Sequence, residues 1–201
     1  MEATSVKTAV LAPAVIMLLI AAPAAVAATW IVADGSEVVF TSKAPMETFD
    51  GRTGAVRGHV ACDPADLAAP VDLRVEVELA TLDTGIGMRN SHMRERHLQT
   101  DQFPLAVLTA TAIKASSSPS LAAGQTVDVT IAGQFDLHGV TRPMEIAGTA
   151  TLGQDGGLTV EAAFVVRLSD HDIARPQFLV MKLADEQQVR VRLVGVPEGS
   201  R

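Results

Sequence analysis

The sequence has few of the residues that cross-link a small fold or that react. Its 201 residues include one cysteine, one tryptophan, no tyrosine and only 3% aromatic residues. With Cys62 alone no intramolecular disulfide can form, so the fold has to be stabilised by its core. No neighbour in the sequence is of a kind that lowers the pKa of a thiol, so we expect Cys62 to be a small, semi-buried strand residue. Hydrophobic residues still make up 48% of the chain.

Positive charge is also scarce. The formal net charge is −7. No stretch combines clustered Lys and Arg with aromatic residues, as surfaces that follow a phosphate backbone and stack bases do. We therefore predict no nucleic-acid partner.

The first 27 residues differ from the rest of the chain. After Lys7 the stretch TAVLAPAVIMLLIAAPAAV carries no charge, and AVA at 25–27 has the small-residue spacing of a cleavage site. This pattern predicts a secretory signal peptide (1–27), cleaved near Ala27, and a periplasmic or secreted protein. An uncleaved membrane anchor is the alternative, because the run is about long enough to cross a bilayer. The folded domain is then expected over 28–196, followed by a short tail (197–201).

Apolar and polar residues alternate along most of the remaining chain. In VDLRVEVEL (71–79) five apolar residues face one way and four charged residues the other. A period of two predicts half-buried β-strands with one solvated face. The same alternation recurs at 36–43, 54–62, 105–114, 126–137, 141–152, 158–168 and 187–195.

The connections between these segments are short and rich in turn-forming residues, as in DPADLAAP, HGVTRP and GQDGG. Short connections cannot carry a parallel crossover, so about eight or nine strands are expected to pair antiparallel. The sequence therefore predicts one all-β domain that closes as a barrel or folds as a sandwich.

Residues 88–104, MRNSHMRERHLQTDQFP, are the densest polar stretch and are called the polar segment below. The pattern allows two to three helical turns over 88–97, capped by Asp83 or Thr84. Its apolar residues step by five and do not form one helical face: Met88, Met93 and Leu98. We therefore predict a short lid lying across the end of a barrel.

The histidines do not have metal-ligand spacing. His92 and His97 are five apart, which places them roughly 140° apart around a helix, whereas zinc sites on helices use i and i+4. The other three, His59, His138 and His171, are scattered along the chain. We predict no metal site.

Signals for nucleophilic catalysis are equally weak. The chain lacks G-x-S-x-G, and Ser91 and His92 are adjacent, so on a helix they do not face each other. We interpret SDHD, in which Asp170 and Asp172 flank His171, as a solvated turn. No catalytic residue is predicted.

Taken together, three stretches resemble the YceI-like family of exported bacterial proteins: TLDTG, MRNSHMRERHLQTDQFPLAVLTAT and GQFDLHGVTRPMEI. The resemblance extends over about residues 29–195. Further matches are the opening Ser-x-Val-x-Phe strand and a late Arg-Ser-Asp with one residue inserted: Ser36, Val38, Phe40, Arg167, Ser169 and Asp170. His171 stands where the family usually has Phe, and Tyr is absent, so a less aromatic pocket is expected.

The resemblance implies a lipocalin-like antiparallel barrel of about eight strands with one short helical lid, enclosing an elongated apolar pocket. It implies a non-catalytic binding protein for an isoprenoid-type lipid, such as a polyprenyl chain or a quinone. The negative net charge favours a neutral ligand such as a quinone. No other cofactor is expected, and transient contact with a membrane and a homodimer are further expectations.

Alternation along the strands gives candidate ligand-binding residues. The apolar lining is predicted to be Val38, Phe40, Phe49, Leu108, Phe135, Phe164 and Phe178. A polar rim at the lid is predicted from Arg89, His92, His138 and Arg142. Small residues in several strands are expected to leave the interior hollow: Ala110, Ala112, Ala132, Gly133, Ala147, Gly148, Ala150, Ala162 and Ala163.

Two other classes of function stay open from the residues alone. One is an exported barrel enzyme that uses the histidine-rich rim, with or without a metal. The other is a β-sandwich adhesion or partner-binding module with a solid core.

Overall fold

The computed structural model describes residues 27–44, 47–178 and 181–199, and of residues 177, 178, 181 and 182 only the backbone. The strands are β1 Ala28–Val32, β2 Glu37–Ala44, β3 Glu47–Thr53, β4 Val56–Cys62, β5 Asp72–Glu78, β6 Leu105–Ser116, β7 Thr126–Leu137, β8 Val140–Leu152, β9 Leu158–Arg167, β10 Gln177–Phe178, β11 Met181–Lys182 and β12 Glu186–Pro197. The helix α1 is Gly87–His92, and a π-helical turn, Met93–His97, continues it. Single 3₁₀ turns are Leu79–Thr81 and Leu168–His171.

Every strand predicted from alternation is present, and all neighbours pair antiparallel. The sheet runs β1-β4-β5-β6-β7-β8-β9-β12-β2-β3, and β1 also pairs with β12. This last pairing closes the sheet into an eight-stranded barrel, so the fold is the predicted all-β barrel and not a two-sheet sandwich.

The long strand β12 closes the wall. One of its edges pairs with β9, whereas the other edge pairs first with β2 and then with β1. Strands β1 and β2 are thus two halves of one interrupted strand, and β4 and β3 are likewise interrupted beside them. At the first interruption Ser36 replaces a backbone pair: its buried hydroxyl donates to Ala33 O at 2.8 Å and accepts from Val194 N at 2.9 Å.

Two apolar clusters lie in the barrel, one near each end. The end opposite the polar segment is sealed by the loops 63–71 and 117–125, which bring Leu67 and Leu121 against Trp30. The indole N–H of Trp30 donates to Gly156 O at 2.8 Å. At the lid end, Leu79, Leu82, Leu98 and Ile173 from the connecting segments pack on strand residues.

Register corrects part of the prediction about small residues. Ala110, Gly133, Gly148, Ala150 and Ala162 share the inward face with buried neighbours, as expected. Four others lie on the outer face: Ala112, Ala132, Ala147 and Ala163. Alternation places the last three there, whereas a bulge after Ala110 turns Ala112 outward. Bulges near Ala110 and Ile113 in β6 also shift the faces of that strand.

Glycine on the inner face lets the strands bend sharply. Gly58 in β4 has φ +139, and a Cβ there would lie 1.9 Å from Arg74 O on the neighbouring strand. A side chain at this position would therefore need both an unfavourable backbone conformation and separation of β4 from β5.

We expect Gly58→Ala to lower the free energy of unfolding by at least about 3 kcal/mol, because strain and a backbone clash add. Gly85→Ala is the matched control: its φ is also positive, at +79, but nothing lies within 4 Å of the added Cβ. It should cost only about 1 kcal/mol. Urea denaturation of both variants measures the difference, and equal losses would contradict the close approach of β4 and β5.

Candidate functional site at the lid end of the barrel

The polar segment and the residues just before it are attached to β3. Arg52 and Asp83 exchange two backbone hydrogen bonds of 2.9 Å, which form an isolated bridge beside the end of the wall. The side chain of Asn90, 8% exposed, then joins the start of the helix to the segment before it. Its Oδ1 accepts from the N–H and hydroxyl of Thr84 at 2.9 and 2.7 Å, and its Nδ2 donates to Asp83 Oδ1 at 2.7 Å.

The predicted helix is present but its start differs. It begins at Gly87, its N-cap is Ile86, and no side chain caps it. Asp83 and Thr84, the predicted caps, bond to Asn90 instead, and Asp83 Oδ1 also accepts from Gly85 N at 2.8 Å. The Gly85 N–H and the Asn90 amide together lower the pKa of the Asp83 carboxyl below its ordinary value. Asn90 was not among the predicted residues. The only hint in the sequence is that it is uncharged while most of its neighbours are arginines and histidines.

His138 and Gly139 form the two-residue turn between β7 and β8. Both have positive φ, +55 and +75, as a type I′ hairpin turn requires. A Cβ on Gly139 would lie 2.7 Å from the ring of Phe103. The turn thus packs directly against the end of the polar segment, which explains the His-Gly pair in structural terms.

The His138 ring connects three segments. Its Nδ1 lies 3.1 Å from His171 O, its Nε2 lies 3.1 Å from Gln99 Oε1, and its centroid lies 4.5 Å from that of Phe103. A protonated ring donates to both oxygens, and a neutral ring is satisfied when the Gln99 amide rotates to donate. The predicted rim residue His138 therefore fastens the lid to the barrel.

Backbone strain is concentrated at this junction. In the described part of the chain, the non-glycine residues with positive φ are Gln99, His138 and Asp172. The first two are hydrogen-bonded to each other, and Asp172 follows His171, whose carbonyl faces His138. Such conformations cost on the order of 1 kcal/mol or more each and persist only where surrounding contacts fix them.

The interpretation of SDHD as a solvated turn was wrong for its histidine. His171 is only 2% exposed, its Nδ1 lies 3.0 Å from Val140 O, and its ring meets Phe135 edge-on with centroids 5.5 Å apart. The flanking Asp170 and Asp172 are exposed, as expected for a turn. The local sequence could not distinguish the buried histidine from the exposed aspartates, because the residues that cover the His171 ring belong to β7 and β8.

Arg89 is engaged within the protein. It donates to Glu47 Oε1 at 2.9 Å and to the hydroxyl and carbonyl oxygens of Thr84 at 2.9 Å each. Its guanidinium carbon lies 3.8 Å from the centroid of the Phe49 ring. The structure thus brings together one predicted rim residue, Arg89, and one predicted lining residue, Phe49.

The four predicted rim residues lie at the same end of the barrel but in two groups. Arg89 and half-buried His92 are on α1, beside β3. His138 and Arg142 are at the β7–β8 turn, where the exposed Arg142 donates to Asp170 O at 3.0 Å. Whether any of the four contacts a ligand stays a prediction.

The predicted lining residues share the inward face of the wall. Register pairs Val38 and Phe40 with Val191 and Val189, and all four are half-buried. Leu108, Phe135 and Phe164 also point inward and are half-buried, with Phe135 and Phe164 edge to face at 6.3 Å. The side chain of Phe178 lies outside the described residues. Ligand contact by this set is likewise still a prediction.

Ser42 adds a polar atom that sequence analysis overlooked. It faces inward on β2, opposite Phe49 of β3, and its side chain is fully buried. Among the described residues, its Oγ is the buried side-chain oxygen or nitrogen without a hydrogen-bond partner. A buried hydroxyl with no partner lowers stability.

The described residues offer little for catalysis. No three of their His, Cys, Asp and Glu side chains lie close enough to hold a metal ion. Cys62 is buried at the end of β4, and burial, aided by the charge of Asp63, raises the pKa of its thiol. His59 faces Asp72 on the outer wall at 3.2 Å, far along β4 from the lid.

Outside the predicted site, two shallow hollows of about 410 and 250 Å³ lie on the outer wall, over β6–β8 and over β2, β9 and β12.

A closed, antiparallel, eight-stranded barrel with a helical lid places the chain in the lipocalin-like class of folds. The YceI-like domain model matches residues 30–195. The chain belongs to the YceI-like family, as its motifs predicted.

Solved structures share this fold at low sequence identity. A polyisoprenoid-binding domain from Saccharophagus degradans is 18% identical, with a TM-score of 0.68 over 85% of this chain and 99% of that one. BcnA from Burkholderia cenocepacia is 20% identical, with a TM-score of 0.67 over 80% and 96%. The YceI protein of Campylobacter jejuni is 16% identical, with a TM-score of 0.55 over 75% and 85%. No curated protein matches the chain.

We expect Asn90→Ala to release the start of the lid, because Thr84 N–H and Asp83 lose a buried partner. The free energy of unfolding should fall by about 2 kcal/mol, and amide hydrogen exchange should accelerate over 83–98. Ser91→Ala, at the adjacent half-buried position, is the control and should change exchange little. Unchanged exchange in Asn90→Ala would show that Asn90 does not attach the lid.

Ser42→Ala should instead stabilise the protein by about 1 kcal/mol, since it removes a buried hydroxyl that lacks a partner. Thermal and urea unfolding of the purified protein measure the change. A clear loss of stability would mean that the hydroxyl is hydrogen-bonded in the native protein.

Proposed function

We propose that this protein is a non-catalytic carrier that holds one long apolar lipid inside the barrel. The ligand class is isoprenoid-type, such as a polyprenyl chain or the tail of a quinone. The Saccharophagus degradans domain of the same family and fold is described as polyisoprenoid-binding, which supports this class for the present chain.

The observation that carries the proposal is the uneven burial of the inner wall. Near the far end, inward-facing Leu158, Leu193 and Val127 are at most 7% exposed. In the middle of the same strands, inward-facing Val129 and Val191 are only half-buried. The partial accessibility of side chains that point into a closed wall supports the proposal that they leave room for a ligand.

Burial of an apolar chain supplies enough free energy for tight binding, and no chemical reaction is required. One isoprene unit exposes on the order of 100 Å², so its transfer from water contributes about 2.5 kcal/mol. Several units exceed the cost of association and give micromolar or tighter binding. A barrel of about eight strands is wide enough for one slender ligand.

The polar groups at the lid end favour a neutral head group. Arg89 is paired with Glu47, and Arg142 donates to a backbone carbonyl. Two buried polar residues that face inward near this end, Ser42 and Gln187, are uncharged. A quinone or prenyl alcohol thus suits the site better than a pyrophosphate, which prefers unpaired arginines.

The rival function, a histidine- or metal-dependent barrel enzyme, has less support. His138 and His171 are occupied with backbone and amide oxygens, and His97 Nδ1 lies 2.8 Å from Ala174 O. A general base needs a substrate proton within hydrogen-bond reach. These histidines instead join segments of the protein.

We further propose that the carrier acts after export, in the periplasm or outside the cell. The apolar stretch and AVA site in residues 1–27 support this. In the part of the chain that the structure describes, no helix is sufficiently long and apolar to cross a bilayer.

Native mass spectrometry of protein isolated from its own cell envelope, followed by organic extraction, tests the cargo directly. Ala162→Phe tests where it lies, because Ala162 faces inward and is half-buried, whereas the adjacent Ala163 faces outward and is exposed. A benzyl group in the interior should weaken binding of a prenyl lipid at least about tenfold, roughly the loss of half of one buried isoprene unit. Ala163→Phe should bind as the wild type does.

Unfolding curves of both variants establish that they fold. Equal binding by Ala162→Phe and Ala163→Phe would contradict a ligand inside the barrel. Protein that carries no lipid but retains zinc, and loses an activity on His92→Ala, would favour the enzyme.

A further inference from the structure

The turn that leads into α1 exposes apolar side chains to solvent. Residues 85–88, Gly-Ile-Gly-Met, are all exposed, and we call them the lid tip. Ile86 is 49% and Met88 73% exposed. A Cβ added at Gly85 or Gly87 would have nothing within 4 Å, so the lid tip projects from the molecule.

This exposure is concentrated. Among the described residues, the large hydrophobic side chains that are strongly exposed are Ile86, Met88 and Val165. The first two are neighbours on the lid, whereas Val165 stands alone on the outer wall of β9. Single exposed apolar residues are ordinary, but a pair on a projecting turn is typical of an interaction site.

The charge next to the lid tip differs from that of the whole chain. The chain has a net charge of −7, yet the turns that follow, residues 89–97, contain three arginines, two histidines and one glutamate. The facing acids are Glu47, which is paired with Arg89, and Asp83, which accepts from Gly85 N–H and Asn90. Arg94 donates to the backbone carbonyl of Ala80 and not to an acid, and Arg96 is exposed.

Apolar side chains that project beyond a basic turn match the surface of an anionic bilayer. The apolar groups enter the boundary between head groups and acyl chains, while arginines remain among lipid phosphates. A soluble protein partner would be recognised by a larger apolar surface with a defined shape. The two apolar side chains of the lid tip are too few to provide one.

We propose that the lid tip docks on anionic lipid bilayers and presents the lid end of the barrel to the membrane. The inference rests on the proposed lipid-carrier function, because a cargo insoluble in water has to be exchanged with a lipid phase. The anchors are Ile86 and Met88, and the basic turns behind them supply the charge preference. Docking places the segment that covers the barrel end at the source of the cargo.

The test compares the full mature protein with Ile86→Ser/Met88→Ser and with Val165→Ser. Val165→Ser is the matched control, since it removes an equally exposed apolar side chain, at 48%, from the outer wall. Flotation is measured with phosphatidylcholine vesicles that contain about one third phosphatidylglycerol, and with vesicles that lack it. Transfer of a fluorescent prenyl lipid from the same vesicles is timed, and affinity for a short, water-soluble prenol is measured without vesicles.

We expect the double variant to float with anionic vesicles and to extract the lipid about tenfold less than the wild type. Val165→Ser should behave as the wild type, and all three proteins should bind the short prenol equally. Docking of the wild type should weaken as salt rises. Arg96→Gln, at an exposed position, should reduce flotation with anionic vesicles and leave prenol affinity unchanged.

Three results would overturn docking by the lid tip: unchanged transfer in the double variant, equal loss in Val165→Ser, or a wild-type dimer that the double variant dissociates while vesicle binding is absent. The last result would assign the lid tip to self-association. Failure of the wild type to bind the short prenol is a different outcome, because it contradicts the carrier function itself.

Discussion

Closure of the wall by β12 is the constraint on which the structure depends. Twelve residues, Glu186–Pro197, pair along one edge with β9 and along the other with two different strands, β2 and β1. One sheet therefore has no long free edge, and every strand has one face toward a common interior. Since the faces alternate, closure decides at once which residues line the inside and which meet solvent. Ser36 completes the ladder where β1 gives way to β2.

A closed wall still has two ends, and different kinds of segments cover them. Loops filled with leucine, together with Trp30, seal the far end as part of a packed core. The segments that cover the lid end also pack through an apolar cluster, and polar contacts join them in addition: Asn90 with Thr84 and Asp83, and His138 with Gln99 and the SDHD turn. Polar contacts can be exchanged for water at small net cost, whereas apolar packing cannot. The lid end also carries the exposed lid tip, and it is the end at which we propose that a lipid enters.

The family motif has a structural explanation in these contacts. His138-Gly139 supplies the two positive φ values that the β7–β8 hairpin needs, and the same histidine reaches Gln99 of the polar segment. The motifs after β5 and before β8 are distant in sequence but meet at one junction. Their histidines His97 and His138 connect segments of the chain in this structure.

The sequence by itself determined the strands with strong alternation, their antiparallel pairing and the short helical lid, because a period of two and turn residues are local signals. Alternation left a barrel and a sandwich open, and only the resemblance carried by the motifs implied the closed barrel. It did not reveal β1, which is only five residues long, or β3, whose Asp50-Gly51 is typical of a turn. In the structure Gly51 lies in mid-strand. A glycine is needed there because the Phe40 ring occupies the space that a side chain would take. The inward positions of Val38, Phe40, Leu108, Phe135 and Phe164 followed from alternation. The tertiary structure alone decided several other features: the outward position of Ala112, the burial of His171 and the roles of Asn90 and Ser42. Bulges, pairing partners and burial arise from contacts between residues far apart in the chain, so no local pattern predicts them.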